Sequence, residues 1–420
     1  MTSSDVRPSP APPRAAPTDG PAFGTVHGLV AVGAPAGPAG GGERAWPRRL
    51  APPLLAYLAV MLVQIAMIAL LRRPDTPAVG HVLLSWDSRL YLEVAAHGYP
   101  ATASRDAGGG WFGSNLAFFP LFPALVRAVH ELTALSYGDS ALTVGRLGGA
   151  AAAVLVHQLL SRLYTPRTGL VMVLLTAAQP MGVSLGMGYT EPVFLALAAG
   201  ALLAAHRQAW LCAGLCGLLA GLTRSTGPGV GAAVAVAAAL LPYGAWRSGM
   251  PRPIRRWRPL AGALLAGAGT PGYLLWVGLH TGTLDAWFRI QQGGWGTHLD
   301  WGADTWDFVS SQFRDGADWV ELSSALLITL AVGCTLLALT HRPWPPLAVY
   351  GLLVTAMALG QSNYATCKPR MLVPALLFLL PAALALGRAR AVTAWSVTTG
   401  AVLLGSWYGA GMLTLWGTVI

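Results

Sequence analysis

Apolar residues gather along this chain in long unbroken blocks separated by short polar stretches. After residue 50, runs of about 20 apolar residues recur almost to the end, each long enough to cross a ~30 Å hydrocarbon core as a helix. The pattern predicts spans at residues 51–71, 142–162, 168–188, 191–206, 209–223, 229–244, 259–279, 320–340, 347–361, 371–387 and 391–415. The expected fold class is therefore all-α, a polytopic integral membrane protein of about eleven transmembrane helices. A membrane β-barrel is excluded, because its strands alternate apolar and polar positions. Spans 191–206 and 209–223 are short; if they form one re-entrant pair, the sidedness of the neighbouring loops is unchanged.

Residues 1–50 are rich in Pro, Ala and Gly and have no apolar period, which predicts a disordered cytoplasmic tail ahead of a membrane domain at residues 51–420. The first apolar run starts late and lacks a small-residue cleavage site, so it reads as a signal anchor. Two outer segments are too long for simple connectors: residues 72–141, and residues 280–319 with Trp287, Trp295, Trp301, Trp306 and Trp319. Tryptophans there either form an interfacial belt or offer faces to sugar rings. Within the first segment, Phe118, Phe122, Leu125 and Val129 fall at helical spacing, which predicts an amphipathic helix lying on the outer membrane surface.

The composition, 54% hydrophobic and 10% charged, agrees with this class. A net charge of +10 raises the question of nucleic acid, but the positions of the charges answer it. With a cytoplasmic N-terminus, Arg247, Arg252, Arg255, Arg256 and Arg258 share one inner loop, and Arg162, Arg167, Arg207, Arg342, Arg388 and Arg390 lie in others. Beyond the tail, every Asp and Glu then falls on the outer side. The basic balance follows topology, and no nucleic-acid partner is expected. Cys212, Cys216, Cys334 and Cys367 show no paired outer-loop spacing, so no structural disulfide is expected.

The acids concentrate attention on "SWDSRLYLEVAAHGYP", Ser85 to Pro100, where the chain leaves the first span. A carboxylate near the membrane is costly unless paired or used. From the residues alone, Asp87 is either a structural group, capping a helix or bridging to Arg89 or Arg146, or a catalytic one.

The blocks around it form a series. Trp86, Asp87, Tyr91, Gly98 and Tyr99 make a "WD…Y…A..GY" pattern, followed by "AFFPLFP" and by Arg146 opening the next span. "GYTEPVFLALA" begins at Gly188, "GLTRSTG" at Gly221, "WFRIQQGGWG" at Trp287 and "PRMLVPALLFLLP" at Pro369. In this order, over most of residues 80–385, the chain resembles the PIG-V family of mannosyltransferases. The resemblance implies a GT-C glycosyltransferase with long extracytoplasmic loops that uses a polyprenyl phosphate-linked mannose. It implies that Asp87 is the base that deprotonates an acceptor hydroxyl during an inverting displacement.

Glu191 is the second acid; at a helix start it either complements the helix dipole or shares the work of Asp87. Arg146, Arg224, Lys368 and Arg370 are candidates for the donor phosphate, the alternative being contact with lipid headgroups. Trp86, Tyr91, Gln292 and Trp295 are candidates for sugar contact. No metal or other cofactor is implied: His97, His130, His280 and His298 are scattered, although a divalent ion between Asp87 and a phosphate stays open. No nucleotide-binding motif occurs. Expected partners are the lipid-linked donor, membrane lipids, and a lipid, glycan or protein acceptor.

The competing class is a flippase for a lipid-linked sugar. Transporters carry related halves and midplane charges, whereas this chain shows no evident repeat and keeps its acids at loop ends. The topology is directly checkable: a reporter fused after residue 300 should report the outer face, and a cytoplasmic signal would overturn it.

Overall fold

The computed structural model describes residues 45–74, 77–102, 111–247, 257–316 and 318–417. The expected tail, apart from its last residues, and the inner-loop arginines 252, 255 and 256 lie outside the described residues.

The helices are α1 (Ala45–Leu71), α2 (Val79–Val82), α3 (Asp87–His97), α4 (Leu121–Thr133), α5 (Tyr137–Leu163), α6 (Pro166–Ala178), α7 (Glu191–His206), α8 (Trp210–Gly221) and α9 (Pro228–Arg247). They continue as α10 (Trp257–Thr281), α11 (Ala286–Trp295), α12 (Ala303–Asp315), α13 (Trp319–Thr340), α14 (Pro345–Leu359), α15 (Lys368–Met371), α16 (Leu380–Arg388) and α17 (Ala391–Thr414). A minimal antiparallel pair, β1 (His298–Leu299) with β2 (Gln361–Ser362), joins the Trp-rich segment to the end of α14.

The apolar runs do become helices, and α1 shows how a membrane surface shapes them. Tyr57, Val60, Gln64 and Ile68 form a buried stripe at helical spacing, while Leu55, Leu58, Leu62 and Leu70 on the other faces stay exposed. Leucine turned outward over a whole face suits a lipid solvent. Among the described residues, four helices are long and apolar enough to cross a membrane: α1 from Leu50, α5, α10 and α13. A bent pair, Ala365–Ala375 with Leu377–Arg388, makes a fifth if counted as one span, and several more apolar helices are shorter.

Two of the eleven expected spans are not single helices. The run at 168–188 leaves α-helix at Ala178, because Pro180 restricts Gln179 to extended backbone. Side chains from α1 take up carbonyls near this break: Gln64 Nε2 donates to Ala177 O at 2.8 Å and Tyr57 Oη to Leu185 O at 2.9 Å. The run at 371–387 is broken by 74°, with Leu376 at φ 56° between Pro374 and Pro381. Tyr350 Oη and Gln179 Nε2 donate to the carbonyls of Pro374 and Val373 there.

The expected surface helix is also corrected. It starts at Leu121, with Pro120 at its N-terminal boundary, so Phe118 is extended backbone outside it. Phe122 and Val126 are fully buried; its apolar face packs into the protein, with Tyr91 edge-on to both Phe118 and Phe122. Arg127 fastens α4 to α3 by donating to the terminal carbonyls of Ala95 and Ala96.

The segment Leu116–Phe118 is a hub. Its carbonyls accept from Tyr99 and Tyr273 at Phe118 O, from Tyr273 at Leu116 O, and from Trp287 Nε1 and Gln291 Nε2 at Ala117 O. The "QQGGW" sequence docks α11 against residues 111–113: a Cβ at Gly293 would collide with Trp111 O, and one at Gly294 would lie 2.6 Å from Gly113 Cα. Gly293→Ala should therefore destabilise the docked loop by about 1–3 kcal/mol, seen as a lower melting temperature; an unchanged melt would deny the contact.

Candidate functional site

Three hydrogen bonds to backbone carbonyls clip the early part of the first outer segment to the residues just before α7. Gly188 N donates to Leu83 O, Ser88 Oγ to Gly188 O at 2.9 Å, and Tyr189 Oη to Ser85 O at 3.2 Å. They bring Asp87, first residue of α3, beside Glu191, first residue of α7. The residue before Asp87 carries strain: Trp86 has φ 57° and ψ −126°, costly for a side chain of that bulk.

The arginines complete an alternating chain of charges. Arg370 Nη2 donates to Asp87 Oδ2 at 2.9 Å, and its Nη1 lies 3.7 Å from Glu191 Oε1. Arg224 Nη1 lies 2.7 Å from the same Glu191 oxygen and donates to Thr190 Oγ1 at 2.9 Å. The order is Asp87, Arg370, Glu191, Arg224, two negative and two positive. The 2.7 Å contact of Arg224 with Glu191 Oε1 is the shortest ion pair of this chain of charges.

Burial separates the two acids. The Asp87 side chain is 26% exposed, Arg224 13%, Arg370 6% and Glu191 0%. Asp87 thus stands at the lip of the chain with one oxygen held by Arg370. Arg370 lies deeper, engaged with carboxylates on two sides. A phosphate reaching Arg370 would have to displace a carboxylate, whereas Arg224 is nearer the surface.

The bridge from Asp87 to Arg89 or Arg146 does not form: the partner of Asp87 is Arg370, and Arg89 is exposed. Arg146 sits half-buried on α5, close enough to Tyr57 of α1 to affect it electrostatically, with a buried Nε that makes no hydrogen bond. It does not join the charge chain.

Lys368 is turned elsewhere. Its Nζ donates to Gln361 O at 2.6 Å, under the β1–β2 pair, and it faces Asp300. Burial raises the Asp300 carboxyl, but N–H donors from Asp304 and Gly302 together with the charge of Lys368 outweigh that and hold it below the usual carboxylate range. The side chain therefore stays ionised at neutral pH, and through Gln361 Lys368 ties β2, the strand paired with the Trp-rich segment, to the broken helix that bears Arg370.

The aromatic candidates divide. Trp86 is half-buried next to Asp87. Tyr91 is packed, its hydroxyl reaching Thr190, and burial keeps its phenol well above the usual range and so neutral. Trp295 meets Phe118 edge-on at 5.4 Å, and Gln292 is exposed while its neighbour Gln291 makes the backbone contact. Sequence reasoning assigned no role to Tyr189 or Thr190, although both stand in the quoted "GYTEP" block. Among the described residues, no three His, Cys, Asp or Glu side chains gather as a metal site.

No family model and no curated protein matches the chain. Among solved structures, ArnT from Cupriavidus metallidurans in the apo state matches at 15% identity with a TM-score of 0.50, covering 85% of this chain and 62% of that one. The same protein bound to undecaprenyl phosphate matches at the same figures. The fold is of the GT-C class. A looser likeness, TM-score 0.43 and 15% identity, is to the apo oligosaccharyltransferase of Archaeoglobus fulgidus, over 85% of this chain and 56% of that one. This chain thus spans about three fifths of the ArnT chain.

The shared anion makes a direct test of the charge chain. Glu191→Ala leaves two buried guanidinium groups without it and should cost about 3–5 kcal/mol. Adding Arg224→Ala should cost less than the sum of the single losses. Unfolding measurements on the four proteins check this, and strict additivity would show that the pair is not coupled.

Proposed function

We propose that the protein is a glycosyltransferase that moves mannose from a polyprenyl phosphate to a lipid, glycan or protein acceptor at the outer membrane face. The observation that carries this reading is the meeting of Asp87, Arg370, Glu191 and Arg224 at one end of four chain segments, within a GT-C fold. ArnT, whose fold this chain shares, binds undecaprenyl phosphate, a lipid with the head group the reaction would release. The choice of mannose rests on the ordered blocks that resemble the PIG-V family.

In this reading the acceptor hydroxyl hydrogen-bonds to Asp87, at the exposed end of the chain. Its oxygen attacks the anomeric carbon, its proton passes to the Asp87 carboxylate, and the bond from that carbon to the phosphate oxygen breaks. The electron pair leaves on the polyprenyl phosphate. Arg224, the more exposed arginine, offsets the charge that develops there. Arg370 orients the base instead. Glu191, fully buried, fixes the spacing of the two arginines. Lys368 supports the outer segment, and Trp86 borders the place where a sugar would lie.

The test uses purified protein in lipid, radiolabelled polyprenyl phosphate mannose and an extract of lipids and wall glycans. Wild type should transfer label, and Asp87→Asn should lose at least about a hundredfold of that rate while still binding donor. Full activity in Asp87→Asn would remove it as the base. Movement of labelled lipid across the bilayer without transfer would instead identify a flippase.

A further inference from the structure

The Arg370 guanidinium is held at its edges by two acids, yet its Nε is buried without a hydrogen bond. Edge contacts alone leave the plane of the group free to tilt, and a tilt would carry the Asp87 carboxylate with it. The Tyr189 ring lies against the group, with the Arg370 Cζ over it at 4.7 Å from the centroid. A guanidinium stacked on an aromatic face is attracted to its negative quadrupole and is restricted in tilt.

Tyr189 is itself fixed. It is fully buried, and its hydroxyl donates to Ser85 O, two residues before Asp87. Its chain neighbours are tied as well: Gly188 exchanges hydrogen bonds with Leu83 and Ser88, and Thr190 accepts from Arg224. One side chain therefore touches both the backbone that carries the base and the cation that orients it.

We propose that Tyr189 is a positioning residue, whose ring sets the tilt of Arg370 and thereby aims the Asp87 carboxylate at the acceptor hydroxyl. The inference rests on the transferase reading. A tyrosine that merely fills space in the core would affect the amount of folded protein; a positioning tyrosine affects turnover by each folded molecule.

Tyr189→Leu keeps an apolar side chain but loses the aromatic face. Its kcat should fall roughly tenfold, with the donor KM within about twofold of wild type. Tyr189→Phe restores the ring without the hydroxyl and should recover most of that loss. In the Arg370→Lys background, Tyr189→Leu should add little further loss, because the planar partner is already gone. Equal kcat for the Leu and Phe variants, or full additivity with Arg370→Lys, would overturn the proposal. If wild type transfers no sugar, the transferase reading fails by itself. The same cycle is then read from melting temperatures in detergent, where sub-additive shifts support the stacked contact and additive shifts refute it.

Discussion

The structure turns on one cation shared between two acids. Arg370 reaches Asp87 with one nitrogen and approaches Glu191 with the other, while Arg224 closes the far side of Glu191. Buried ion pairs contribute little to stability once desolvation is counted, but removing one partner is expensive. Such a chain is therefore better understood as a device for orientation than as a source of stability. It holds the Asp87 carboxylate directed at the exposed end of the chain, where the proposed donor and acceptor would meet.

Much of the fold serves to bring these four side chains together. Asp87 and Glu191 come from two helix starts clipped by one backbone and two side-chain hydrogen bonds, Arg224 from the turn after α8, and Arg370 from a helix that is broken rather than continuous. The break at Leu376 costs helical hydrogen bonds, and Tyr350 and Gln179 recover part of them. A second support surrounds Leu116–Phe118, whose carbonyls are taken by Tyr, Trp and Gln side chains from the first loop, α10 and α11. Leu121 N donates to Leu222 O, which ties the start of α4, just after that segment, to the turn that carries Arg224.

The long apolar runs announced the helices, because twenty apolar residues have few other stable arrangements in lipid. The sequence also singled out Asp87, Glu191, Arg224 and Arg370, since charged residues beside apolar runs stand out. It could not show that Arg370 pairs with Asp87 across 283 positions, nor that Lys368, two residues away, points to the β1–β2 pair. Neighbouring cations look alike in a sequence, and the bend that separates them is tertiary. The start of the surface helix differs for a local reason: Phe118 has helical spacing with Phe122, but Pro120 at the boundary starts the helix later. Tyr189 was hidden by chemistry, because a buried tyrosine near a span reads as packing.

In the proposed reaction Asp87 acts as a base in a single displacement, with Arg370 holding it in line. The most direct measurement is the anomeric configuration of the product formed from a donor of defined configuration, read by proton NMR. Inversion is the predicted result. Retention would require a covalent glycosyl-enzyme intermediate on a carboxylate and would contradict the account.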